Sequence, residues 1–361
     1  MATYIGITVL SVLCYKIFHS KKVYIVFMFT LMTILSGTRD MTVGVDTPMY
    51  FRIFYGMRDV PFDFSYFSEN YIIEIGNRAL IIIADWLFGD PQGYIFISAA
   101  LTNLFMGYFV YKNSSPTNYW IMTFFFVSLG AYFAEFNGIR QSIGIAIASN
   151  SFQYLMERKL FKALLFVFCG MLFHSSISLF IPTLLFLYFV MPRIKTTRDV
   201  SLYLFYLIAC LIVSVVGIKT LIDFFMQFSD KYQAYLMVTN SYSIGTGSLL
   251  SATFFKEVVI CVAIASLLLH SSEFGVKSYM FSLCFFGVVY VSIYFMQTYV
   301  MSILFRVAML FDYIVCLLLT EWVTHIHGVE KKCIVYVLMV VGGLIAVYLS
   351  LGHGFHGILQ V

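Results

Sequence analysis

Apolar residues fill long unbroken stretches of this chain, at approximately 2–18, 23–37, 72–88, 93–111, 119–136, 139–156, 160–173, 176–191, 200–217, 251–270, 278–297, 300–320 and 333–351. Most approach the roughly 20 residues that a helix needs to cross a hydrocarbon core. Strands of a transmembrane barrel would alternate polar and apolar positions over about ten residues, whereas 93–110, 200–217 and 277–296 are continuously apolar. The pattern predicts an all-α fold, a polytopic transmembrane helical bundle forming one integral membrane domain over residues 1–361.

One stretch is patterned differently. In 72–88, Glu74, Asn77, Arg78 and Asp85 fall at helical spacings opposite Ile72, Ile75, Ala79, Ile82, Ile83 and Trp86. That reads as an amphipathic or re-entrant helix, with a true span as the alternative. Loop charge supports the first reading. Lys16, Lys21, Lys22, Lys112, Arg158, Lys159, Lys162, Arg193, Lys195, Arg198, Lys277, Lys331 and Lys332 gather between runs and belong on the cytoplasmic side by the positive-inside rule. If 72–88 does not cross, all of these clusters lie inside and both termini outside, with about 12 spans. The polar segments 38–71 and 218–250 then lie outside and cover the expected site. The first run lacks a basic leader and a cleavage signature, and reads as a retained span.

Composition agrees: 61% of residues are hydrophobic and 11% charged, which excludes a soluble globular protein. The net charge of +4 sits in loops and signals no nucleic acid. Seven cysteines are scattered singly through apolar runs, so neither a metal site nor a disulfide framework is indicated. Arginine and lysine segregate. Arg39, Arg52, Arg58, Arg78, Arg140 and Arg306 fall outside or within the membrane, while most lysines fall inside. A guanidinium is costly in lipid and suited to bidentate binding of phosphate or carboxylate oxygens, so an anionic ligand at the outer face is expected.

Chemistry-bearing positions concentrate in three segments. In Gly37–Phe54, Gly44 and Pro48 shape a loop that can aim Asp46 inward, with Arg39, Tyr50 and Arg52 nearby. A carboxylate beside cations can act as a base for a sugar hydroxyl, and a solvated turn with internally paired charges is the competing reading. In Phe136–Ser149, Asn137, Arg140, Gln141, Gly144 and Ala148 form one helical stripe on which small residues permit close packing. Arg140 needs a partner there, either Glu135, Asp46 or a ligand phosphate. His174 opens HSSISLF at the outer end of its run, as a hydrogen-bonded packing residue or a catalyst. Arg306 lies inside the run 300–320, six residues before Asp312 and on a different face. Lys256 and Glu257 form a weaker pair of candidates. His353 and His356 have no carboxylate or cysteine partner, and no metal is expected.

GTRD, VGVDTPMY, NGIRQSIGIAIA, the basic ERKLFK loop and LFHSSISL, in that order and spacing over roughly residues 35–190, resemble the EpsG-like, Wzy-type polysaccharide polymerases of bacterial envelopes. Arg306 near Tyr313 is similar to that family's late arginine. The resemblance implies a glycosyltransferase of the bacterial cytoplasmic membrane. It would polymerise repeat units carried on undecaprenyl diphosphate for O-antigen, capsule or exopolysaccharide, with its active site facing the periplasm or cell exterior. Arg39, Arg140 and Arg306 would bind the donor diphosphate, and Asp46 or His174 would take the acceptor proton. Tyr50, Glu74, Arg78, Asn137 and Gln141 would support the acceptor. The reaction would be inverting, without metal or cofactor. Implied partners are the lipid-linked glycan donor and acceptor, membrane lipids and a chain-length regulator, with no nucleic acid. A lipid-linked oligosaccharide flippase and an O-antigen ligase are the alternatives. No second copy of the GTRD or NGIRQ motif marks the internal repeat common in transporters.

Overall fold

The computed structural model describes residues 2–44, 46–60, 73–209, 252–270, 277–299, 304–326, 336, 339 and 342–343. The described residues form helices and no strand. Residues 61–72, the whole of the second polar segment 218–250, and His353 and His356 lie outside them. The chain divides into two compact units, residues 1–188 with 319–361, and residues 189–318.

The first unit begins with α1 (Ala2–Ile17) and α2 (Lys21–Gly37), which are followed by a tight loop and the short helix α3 (Thr47–Met57). The segment read as a loop therefore contains a helix, because Thr47, Tyr50, Phe54 and Met57 repeat at helical spacing and bury one face. Next come α4 (Ile75–Phe88) and α5 (Pro91–Asn113). Asp90 caps α5 by accepting from Gln92 N at 2.6 Å, and Pro91 occupies its first turn. With 23 residues, α5 is about 34 Å long and can cross a bilayer. It is the centre of the unit, packing against α2, α3, α4, α6 (Tyr119–Ser128) and α7 (Ile139–Ser149).

Helix α4 has 14 residues, about 21 Å, which is short for a straight crossing. Its polarity is turned inside out. Asn77, Arg78, Leu80, Ile81 and Ala84 are buried, while Ile82, Ile83, Trp86, Leu87 and Phe88 are exposed. An apolar face costs nothing against lipid, whereas the polar groups need protein partners, so this arrangement suits a helix held in the membrane.

Between α6 and α7 the chain does not continue as one helix. Two apolar runs were expected here, and the first stops at Ser128. Gly130 has φ +90°, a single helical turn follows at Ala134–Asn137, and the path breaks again at Gly138. After α7 come α8 (Ser151–Met156), α9 (Leu160–Met171), a 3-10 turn at Ser175–Leu179 and α10 (Phe180–Val190). The small-residue stripe does what was expected of it. A Cβ on Gly144 would stand 3.0 Å from Gly170 O and 2.8 Å from Ile177, so α7 and α9 meet backbone to backbone only because both residues are glycine.

In the second unit a 3-10 turn at Met191–Arg193 precedes α11 (197–209), then α12 (Ala252–Leu269), α13 (Lys277–Tyr299), α14 (Leu304–Ala308) and α15 (Asp312–Thr324), whose end belongs to the first unit. Its interior holds an ion pair: Lys256 Nζ lies 3.5 Å from Asp312 Oδ1 and over the rings of Tyr290 and Tyr294, and the Tyr290 hydroxyl donates to the same oxygen at 2.8 Å. Asp312 thus pairs with Lys256 across helices. Among the described residues, Pro91–Asn113, Ser175–Arg193, Lys277–Phe295 and Arg306–Thr324 are long and apolar enough to cross a membrane. The molecule is a multi-pass helical membrane protein.

Candidate functional site

Every expected site residue except Arg306 and the weaker candidates Lys256 and Glu257 belongs to the first unit. There they assemble around the break between α6 and α7, the loop before α3 and the start of α4. Non-helical backbone at membrane depth is tolerated where protein satisfies its polar groups, and such breaks commonly line binding sites.

Arg39 supplies much of that satisfaction. Its side chain is 5% exposed, and it donates from Nη1 to Ser36 O at 2.7 Å, from Nη2 to Phe136 O at 3.4 Å and from Nε to Thr47 Oγ1 at 3.4 Å. The guanidinium also lies over the Phe136 ring, 5.0 Å from its centroid. One cation therefore ties the end of α2, the start of α3 and the carbonyl released by the helix break. Gly44 makes this approach possible: its φ of +93° suits glycine, and a Cβ there would sit 2.4 Å from Phe136 O. Glu135 is buried beside Arg39, with Asn103 Nδ2 donating to both carboxylate oxygens at 3.3 and 3.2 Å. The crevice lined by Arg39, Ser98, Thr102 and Glu135 is too narrow for a water molecule. In the same loop the exposed Asp40 accepts from Thr42 N at 2.9 Å and from its hydroxyl at 2.7 Å, and these donors hold its carboxyl below the usual range.

Arg140 is employed differently. It sits in the first turn of α7, and Nη1 meets Glu74 Oε2 at 2.7 Å, with each side chain 22% exposed. The Tyr50 hydroxyl oxygen accepts from Arg140 as well, and Asp46 is near enough to act on Tyr50's ionisation. Burial pushes the Tyr50 phenol up, Asp46 adds to that, and Arg140 opposes it, so Tyr50 stays neutral and is able to donate. Asp46, Tyr50, Glu74 and Arg140 thus form one half-open polar cluster of mixed charge. Glu74 is a partner of Arg140 that the motif itself does not contain.

Arg78 is 1% exposed and donates to the main-chain carbonyls of Met57 and Val60, so it holds the far end of α3. Asn77 Nδ2 donates to Phe173 O at 2.6 Å and Gly76 N to Leu172 O at 2.7 Å, docking α4 against the end of α9. Directly after that contact, His174 Nδ1 accepts from Ser176 N at 3.3 Å and lies 2.7 Å from Ser176 Oγ, capping the 3-10 turn. With Nδ1 accepting from an amide, the neutral ring carries its proton on Nε2, and that nitrogen is a donor. Gln141 is buried and Asn137 half-buried, on either side of the break at Gly138. Arg306 is exposed, on α14 of the second unit.

Sequence reasoning passed over Asn103, Gln92 and Tyr94. Gln92 Nε2 donates to Gly37 O at 2.6 Å and to Arg39 O at 3.2 Å, and the Tyr94 hydroxyl donates to Asn77 Oδ1 at 3.4 Å. A signal existed: Tyr94, Ser98 and Thr102 recur every fourth residue inside an otherwise apolar run, a polar seam aimed at the site. Among the described residues no group of three His, Cys, Asp or Glu is arranged to hold a metal ion.

No curated protein and no solved structure matches the chain. The model of the EpsG family matches residues 22–359, nearly the whole sequence. The chain belongs to the EpsG family, a family of Wzy-like polysaccharide polymerases.

Proposed function

We propose that this protein joins oligosaccharide repeat units carried on undecaprenyl diphosphate, at the outer face of a bacterial cytoplasmic membrane, building O-antigen, capsule or exopolysaccharide. The full chain would make about 12 crossings with both termini outside. The observation that carries the reading is Arg140, a largely buried but still accessible guanidinium in a polar cluster at a break in the helices. An arginine fork in such a place is matched to phosphate oxygens.

In this reading Arg140 holds the donor diphosphate and stabilises the charge that grows on it as the anomeric C–O bond breaks. Arg39 fixes the loop that carries Asp46 and lends its positive charge to the same region. Electrostatic stabilisation of this kind is worth about two to three orders of magnitude in rate per donor. Asp46 accepts the proton of the attacking acceptor hydroxyl, and the electron pair of the broken bond leaves with the diphosphate. Attack opposite the leaving group inverts the anomeric centre. Tyr50 and His174 Nε2 donate hydrogen bonds that orient the sugars, and Asn137 and Gln141 flank the same break. Arg306 keeps the donor-binding role assigned to it from sequence.

The test is the glycan banding pattern of a deletion strain complemented with variants. Loss of the gene should leave single exported repeat units, and Asp46→Asn should not restore the ladder. Accumulation of repeat units on the inner leaflet would instead identify a flippase.

A further inference from the structure

The Glu74–Arg140 pair is unlike the contacts of Arg39 and Arg78, and at 2.7 Å it is closer than the exposed pairs of Arg58 with Asp59 and Asp85 at 3.6 and 4.0 Å. Arg39 and Arg78 direct their donors at main-chain carbonyls and are almost wholly buried. Arg140 instead meets a carboxylate at 2.7 Å while both partners remain partly open. Glu74 occupies the N-cap position of α4, yet its side chain makes no capping hydrogen bond. A carboxylate offers a guanidinium the same pair of acceptors as a phosphate.

We propose that Glu74 is a resident competitor for the phosphate seat on Arg140, selecting diphosphate over monophosphate carriers and speeding departure of the diphosphate product. This rests on the donor-binding reading above. A lipid monophosphate brings one phosphate and must displace an ion pair already made. A diphosphate brings more charge and a second phosphate for neighbouring donors, so it wins the exchange. After glycosyl transfer, return of Glu74 to Arg140 offsets the loss of phosphate contacts and shortens the life of the product complex. No bond is made or broken by Glu74 in this role. It acts on binding and release.

The experiment measures binding of undecaprenyl diphosphate and undecaprenyl monophosphate to the full chain in nanodiscs, for wild type, Glu74→Gln and Arg140→Gln. Glu74→Gln should bind both lipids more tightly, the monophosphate by about tenfold more than the diphosphate gains, as expected for removing a competing charge. In polymerisation assays its kcat and KM should fall together. Inorganic pyrophosphate should show the same direction of change, and a gain confined to the lipids would overturn assignment to the phosphate seat. A salt bridge serving stability alone would lower the melting temperature of Glu74→Gln and leave affinity unchanged or weaker, which overturns the proposal. If Glu74→Gln does not fold, Glu74→Asp, with a shorter reach to Arg140, should show the same changes at smaller amplitude. Wild type binding neither lipid better than Arg140→Gln would overturn the donor-binding reading itself.

Discussion

Two arginines that look alike in sequence do different work. Arg39 is spent mainly on carbonyls and Arg140 meets a carboxylate, so their substitutions should fail differently. Arg39→Ala removes the donors to Ser36 O and one of the two donors to Phe136 O, and takes a positive charge from beside buried Glu135, so it should lower thermal stability in detergent. Arg140→Lys keeps the charge but loses the fork. It should insert and melt nearly as wild type while polymer length collapses on a polysaccharide gel. Asp40 gives a pH test. Its carboxyl is depressed in the folded loop, so its contribution is present above the unfolded pKa and lost as pH falls through the folded one. Exchange of the Thr42 amide, relative to its intrinsic rate, should accelerate in acid, and Asp40→Asn should abolish that dependence. The motifs marked Arg39, Asp46 and Arg140 as unusual, but not their partners. Glu74 lies 66 residues from Arg140, and only the docking of α4 on α9 brings it near.

At the scale of elements, the helices themselves were legible because unbroken apolar runs leave little else to form. Their interruptions were not. The runs 119–136 and 139–156 look like two spans, yet Gly130 and Gly138 release the backbone and Arg39 and Thr47 capture the carbonyl of Phe136. A long-range capture of that kind leaves no local pattern. The spacing in 72–88 revealed an amphipathic helix, but pattern alone does not tell which face meets water, lipid or protein, and here the polar face turns inward. Gly144 and Gly170 were recoverable as a packing stripe. Gly144→Leu should separate α7 from α9, costing several kcal/mol through overpacking, with loss of folded protein on size exclusion. The cost falls on the frame that carries Arg140, so activity should drop with the folded fraction.

Across the whole molecule, family membership, apolar helices and the polar cluster of the first unit agree on a membrane polysaccharide polymerase. The second unit holds Arg306 and a Lys256–Asp312 pair packed among tyrosines. Reporter fusions after residues 22, 112 and 195 should report the cytoplasm, and a fusion after residue 40 the outside. Reconstituted polymerisation tests the central claim most directly. Purified protein in nanodiscs should extend a lipid-diphosphate-linked repeat unit into a ladder, and folded, inserted Arg140→Lys should leave the repeat unit largely unextended. A full-length ladder from Arg140→Lys would contradict the account.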